Sequence, residues 1–146
     1  MIDTIDLFPV IGDRLVELLS GLGDDDFERP TQFERWRVKD VCAHLVDTAV
    51  RRLSFQRDGY RPKGGASPGS YRELVSLVTD LADRWADAFV AVSPRVLVGM
   101  LERYQSELHE FLASLDPLAE APFAVAWAGE ERSPNWFDIA REYTER

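Results

Sequence analysis

Five stretches of this chain repeat apolar residues at spacings of three and four, and that periodicity constrains the fold more than any other feature. The stretches are residues 4–22, 37–57, 70–91, 94–115 and 133–146. Such spacing places the apolar side chains on one face of a helix, and that face is buried against other helices. The sequence therefore predicts an all-α fold, a four-helix bundle with one extra helix.

Breaks between these stretches mark the helix ends. Ser70 and Ser93 precede helical patterns and are expected to cap them, and Pro94 suits a first helical position. Residues 59–69 are rich in glycine and proline, which is typical of a surface loop, either a plain connector or a lid. The period changes at about residues 121–132, where the pattern is consistent with a small β-hairpin.

Length and charge limit the classes of function. A chain of 146 residues is expected to form one domain, here residues 1–146. It has 26 acidic and 17 basic residues, and a net charge of -9 argues against nucleic acid and anionic membrane surfaces as partners. No run approaches the roughly 20 apolar residues of a membrane helix, and the first residues include Asp3 and Asp6 rather than a basic region, so a signal peptide is not expected. Cys42 is the one cysteine, so we expect a buried thiol in a cytoplasmic protein.

The run Trp36–Leu45 carries one of only two histidines in the chain. On a helix, His44 lies at the border between an apolar face and a polar stripe that contains Asp40 and Asp47. It is therefore either a packed boundary histidine or a metal ligand. In the second case, Asp40 or Asp47 would hold one ring nitrogen and leave the other for the metal. His109 has polar neighbours and is expected at the surface.

Other polar and aromatic residues also allow two interpretations. Glu142 and Glu145 lie three residues apart on the last helix, and they are either solvated charges or metal ligands. Trp36 and Trp136 lie near the starts of helices, and they either pack against the core or line a pocket. The chain contains no motif of a serine or cysteine nucleophile, no phosphate-binding loop and no HExxH zinc motif.

Two segments carry a resemblance to a known family. The run Trp36–Leu45 (WRVKDVCAHL), preceded by Arg29-Pro30-Thr31, and the segment Ala140–Arg146 (AREYTER) resemble the mycothiol-dependent maleylpyruvate isomerase N-terminal family. That family is part of the DinB-like superfamily of helical bundles. Arg37 departs from the serine or threonine cap that the family usually has, and Asp40 is expected to compensate in part.

The resemblance implies a divalent metal, zinc or nickel, with His44 as one ligand and Glu145 as a second. The family's further histidine, four residues after this glutamate, would follow Arg146. We therefore expect either a fragment of a longer protein or a member that has lost the site. Three protein ligands and a water would make an open catalytic site.

The implied chemistry depends on a thiol. A metal-bound thiol loses its proton more readily, so mycothiol or bacillithiol would attack an electrophilic substrate, with isomerisation or S-transfer as the result. The rival interpretation is a non-catalytic bundle that lacks a complete metal site. Such a bundle would form a homodimer through an exposed last helix, or bind a small ligand between helices.

Overall fold

The computed structural model describes residues 1–33, 35–61, 69–121 and 133–144. Its helices are α1 (Leu7–Ser20), α2 (Asp24–Phe27), α3 (Val38–Arg52), α4 (Tyr71–Ala88), α5 (Pro94–Ala113) and α6 (Asn135–Thr144). The described residues form two isolated β-bridges and no β-strand, which confirms the all-α prediction. None of the described helices combines the length and the apolar character needed to cross a membrane.

The helix predicted at residues 37–57 is present, and it consists of an α-helical part followed by a π-helical turn. Its α-helical part ends at Arg52, and a π-helical turn, Leu53–Arg57, continues it. The amide of Asp58 donates to the carbonyl of Leu53 at 3.0 Å, the five-residue spacing of a π-helix. Gly59 follows with a φ of 65°, a conformation that glycine adopts without steric cost.

The predicted helix caps are present. The Ser70 hydroxyl accepts a hydrogen bond from the amide of Glu73, and the Ser93 hydroxyl accepts one from the amide of Val96. Arg37 has no capping hydroxyl, and an Asp40 carboxylate oxygen accepts from the Arg37 amide at 2.9 Å instead. This bond and the favourable position of a carboxylate at a helix N-terminus stabilise the start of α3.

α3 and α5 pack side by side and run in the same direction. One core cluster joins the first half of α3 to the first half of α5, through Cys42, Ala43, Val46, Leu97, Val98 and Leu101. A second cluster joins Ala49 and Leu53 to Leu108 and Leu112, further along both helices. Apolar burial of this kind is the main stabilising contribution to the bundle.

α1 and α6 run in the opposite direction to α5. Leu19, late in α1, belongs to the first cluster, whereas Phe8, early in α1, belongs to the second. α6 starts beside the end of α5, where the amide of Trp136 donates to the Pro117 carbonyl at 3.0 Å. By Tyr143 it has reached Phe8, with ring centroids 5.9 Å apart. The described end of α6 therefore points toward the first cluster.

The hairpin expected at about residues 121–132 lies, apart from its first residue, outside the described residues. The residues that flank it are paired. Glu120 and Pro134 form an antiparallel bridge, and the amide of Ala121 donates to the Ser133 carbonyl at 2.8 Å. These bonds join the end of the α5 region to the start of α6.

We predict that Leu101→Ala lowers the free energy of unfolding by about 2–5 kcal/mol, because Leu101 has no exposed surface and its loss leaves a cavity in the first cluster. Val96→Ala is the control on the same helix. Its side chain is exposed, so a change within about 0.5 kcal/mol is expected. Urea denaturation measures both, and equal losses in the two variants would contradict the placement of the core.

Candidate functional site

His44 lies in the middle of α3 with its ring against Trp36, at a centroid distance of 5.0 Å. Its Nδ1 atom is buried and has no hydrogen-bond partner in the described part of the chain. Burial lowers the pKa of this imidazole, and the positive charge of Arg51 lowers the pKa further. His44 is therefore neutral at pH 7, the form of imidazole that binds a metal.

Asp47 lies one helical turn after His44 and its side chain is fully buried. One carboxylate oxygen pairs with Arg51, and the other, Oδ1, is buried without a hydrogen-bond partner among the described residues. Burial raises the pKa of this carboxyl to about 6, although the charge and hydrogen bond of Arg51 act in the opposite direction. The site therefore holds a carboxylate whose ionisation burial disfavours, and only one of its two oxygens has a hydrogen-bond partner among the described residues.

The carboxylates expected to hold the imidazole make other contacts. Asp40 caps α3 through the Arg37 amide, and Asp47 pairs with Arg51. His44 Nδ1 has no hydrogen-bond partner within the described ranges, so neither of these two carboxylates bonds to that nitrogen. Their supporting role in a metal site stays a prediction.

Trp36 forms the wall between His44 and α4. Its indole Nε1 donates to Asp83 Oδ1 at 3.1 Å, and Arg35 donates to the other oxygen of Asp83 at 2.9 Å. Trp36 and Asp40 line one small cavity with Asp83.

Trp136 lines a different cavity, at the far end of the bundle. That cavity is formed with Ile5, Leu112 and Pro117. Both tryptophans therefore line cavities, and of the two only Trp36 lies beside His44.

A buried ionic cluster joins the end of α3 to α6. Arg52 donates through Nη1 to Glu142 at 2.7 Å and through Nη2 to Asp138, and its Nε donates to Gln56 at 3.1 Å. Arg141 also donates to Asp138, at 3.2 Å. We refer to Arg52, Asp138 and Glu142 as the ionic seam, and all three are buried.

Sequence reasoning missed the ionic seam. Glu142 was interpreted as either a solvated charge or a ligand, and the structure shows instead a buried partner of Arg52. One signal was available: Asp138 and Glu142 lie four residues apart, with Ile139 between them in the apolar stripe of α6. No local pattern connects this pair to an arginine 86 and 90 residues earlier.

Cys42 is buried in the first core cluster, as the sequence predicts. Burial raises the pKa of its thiol to about 11, so it is protonated at neutral pH. A protonated, buried thiol is inert as a nucleophile. His109 is half-buried rather than exposed and lines a groove between α1 and α5, away from His44.

The residues around His44 are of the types that bind zinc or nickel, but fewer of them come together among the described residues than a metal site needs. His44 and Asp47 each present a buried, unpartnered donor atom of a type that zinc and nickel accept. Over the described ranges, no group of three histidine, cysteine, aspartate or glutamate side chains gathers closely enough to hold a metal ion. Glu145, the second ligand implied by resemblance, lies outside the described residues.

The fold and the site together define a class of protein, a helical bundle that carries a neutral imidazole and buried carboxylates on the faces where its helices meet. Helical bundles build their ligand and metal sites from side chains on such faces. The family model described as the mycothiol maleylpyruvate isomerase N-terminal domain matches residues 8–145. The chain belongs to this family, as its two motifs indicated. A search of curated proteins gave no match, and neither did a search of solved structures.

We predict that Asp47→Asn changes the pH dependence of stability. The native Asp47 carboxyl keeps its proton up to about pH 6, whereas an unfolded aspartate loses it near pH 4. The native state therefore binds more protons between these values, so this residue makes stability fall as pH rises through that window. Asparagine has no such titration.

Urea unfolding at pH 4 and pH 7 measures the effect. The free energy of unfolding of Asp47→Asn, relative to the unchanged chain, should rise by about 1–3 kcal/mol between pH 4 and pH 7. The titration of His44 is common to both proteins and largely cancels in the difference. Parallel stability curves would contradict the assignment of a raised pKa to Asp47.

Proposed function

We propose that this protein binds a divalent metal ion, zinc or nickel, through His44 and uses it to activate a small-molecule thiol. The observation that carries the proposal is the His44 imidazole, held neutral by burial and by Arg51, with a buried Nδ1 to which none of the described residues hydrogen-bonds. The neutral ring keeps a lone pair free for a metal, because no proton occupies it at pH 7.

Two carboxylates are proposed to act with His44. Glu145 is the second ligand, on the motif that the chain shares with its family. Asp47, with its unpartnered oxygen one turn from His44, is proposed to accept a hydrogen bond from the imidazole or from a metal-bound water when the site is filled. Asp40 is proposed to support the site indirectly, because it fixes the first turn of α3.

The reaction proposed is isomerisation or S-transfer on an electrophilic substrate. A bound divalent metal would supply Lewis acidity, which lowers the pKa of a coordinated thiol. Family membership supports mycothiol as the thiol, and bacillithiol is the alternative. Trp36 covers one side of the His44 ring, and burial together with the charge of Arg51 lowers the pKa of the imidazole and keeps it neutral. A cytoplasmic location is proposed because the thiol must stay reduced.

The non-catalytic alternative rested on an exposed apolar patch on the last helix. In α6, Ile139 is buried, and Trp136, Phe137 and Tyr143 are half-buried. None of the described residues of α6 is an exposed large apolar side chain. This observation favours the metal-binding proposal over association through α6.

We predict that His44→Ala removes metal binding and that His109→Ala does not. These are the two histidines of the chain, so the second variant is a matched control for loss of an imidazole. Bound zinc and nickel are measured by elemental mass spectrometry after dialysis without chelator, and their affinity by calorimetry.

The unchanged chain and His109→Ala should each hold about one metal ion, and His44→Ala should hold none after dialysis, because loss of a ligand weakens binding by more than the roughly 10- to 100-fold that loss of a supporting partner costs. Circular dichroism of each variant checks that the fold is retained. Equal metal content in His44→Ala and His109→Ala would refute the proposal.

A further inference from the structure

We infer that Arg52 is a positioning residue whose two buried ion pairs set the register of α6 against α3. The inference deepens the proposed function, and its link to metal binding rests on that function. Arg52 belongs to α3, eight residues after His44, and its partners Asp138 and Glu142 belong to α6, the helix that leads to Glu145.

The two partners of Arg52 fix α6 in both translation and rotation. Asp138 and Glu142 are four residues apart, so they lie on one face of α6 and about 6 Å apart along its axis. One guanidinium contacts both, through different nitrogens. A slide of one residue would shift α6 by about 1.5 Å and turn its face by about 100°, which would break both ion pairs.

The apolar contacts of α6 define its register less sharply. Ile139 is the described apolar residue of α6 that is buried in the second core cluster, and Tyr143 makes a tilted ring contact with Phe8. Hydrophobic contact is non-directional, so such a face tolerates small slides and rotations. A buried ion pair contributes little net stability, and its best-attested use is to specify one arrangement over its neighbours.

The part of α6 that follows the ionic seam runs toward His44. His44 is about 12 Å before Arg52 along α3. α6 runs antiparallel to α3, so the direction of the chain from Glu142 to Thr144 leads toward the level of His44. Glu145 follows Glu142 by three residues in the sequence. A change of register at the ionic seam would therefore move the described end of α6, after which the proposed ligand follows in the sequence, relative to the imidazole.

The test uses a neutral replacement of the ionic seam. Arg52→Met alone would remove the guanidinium that contacts both buried carboxylates, a strongly destabilising change even though Arg141 also contacts Asp138. The informative variant is Arg52→Met combined with Asp138→Asn and Glu142→Gln, which removes all three charges at similar side-chain volume. Arg57→Met is the control, because Arg57 makes exposed ion pairs with Asp58 and Glu107.

The first readout is independent of any metal. Nuclear Overhauser contacts between the Phe8 and Tyr143 rings report the register of α6, and contacts between Val46 and Leu101 report the core. The triple variant should keep the core contacts and lose the ring contact, or show it weakened by several-fold. Arg57→Met should keep both. A triple variant with an unchanged ring contact would overturn the inference.

The second readout is zinc affinity by calorimetry. The triple variant should bind zinc about 10-fold or more weakly than the unchanged chain, and Arg52→Lys, which retains the charge without the fork, should lie between them. Lost ring contact with unchanged zinc affinity would overturn the positioning role. Failure of the unchanged chain to bind zinc would refute the proposed function instead, and the ring contact would still decide whether Arg52 sets the register.

Discussion

The placement of α6 against α3 depends on the contact of Arg52 with Asp138 and Glu142. This contact is buried, it spans 86 and 90 residues of sequence, and it joins the end of α3 to the last described helix. The apolar clusters bring α1, α3 and α5 together without it. α6, with ten residues and one buried apolar side chain in the core, takes its defined position from directional contacts.

The charged residues in the second half of α3 each face a partner of opposite charge, and two of them, Asp47 and Arg52, are buried. Arg52 is neutralised by two carboxylates, and Arg51 one residue earlier pairs with the buried Asp47. The charge of Arg51 also lowers the pKa of His44, while burial raises the pKa of Asp47 to about 6. A neutral imidazole and a carboxylate that resists ionisation are thus kept side by side, which is a common property of functional sites.

The sequence predicted the helices and the family well, because apolar periodicity and capping are local signals. Ser70 and Ser93 cap as expected, and the stripe through His44 lies at the border of the core. The ionic seam was not predictable, since Arg52 and Glu142 are ordinary polar residues in their own helices. The π-turn after Arg52 was not predictable either, because it occupies only the last five residues of the helix, too few to define a period of their own.

The most direct test of this account is anomalous diffraction at the zinc absorption edge, from crystals of the chain grown with zinc. We expect a peak about 2.0–2.1 Å from a ring nitrogen of His44, with a carboxylate oxygen as a further ligand. No comparable peak is expected at His109. Zinc found only at surface carboxylates or at His109, with the His44 ring unliganded at saturating zinc, would contradict the account.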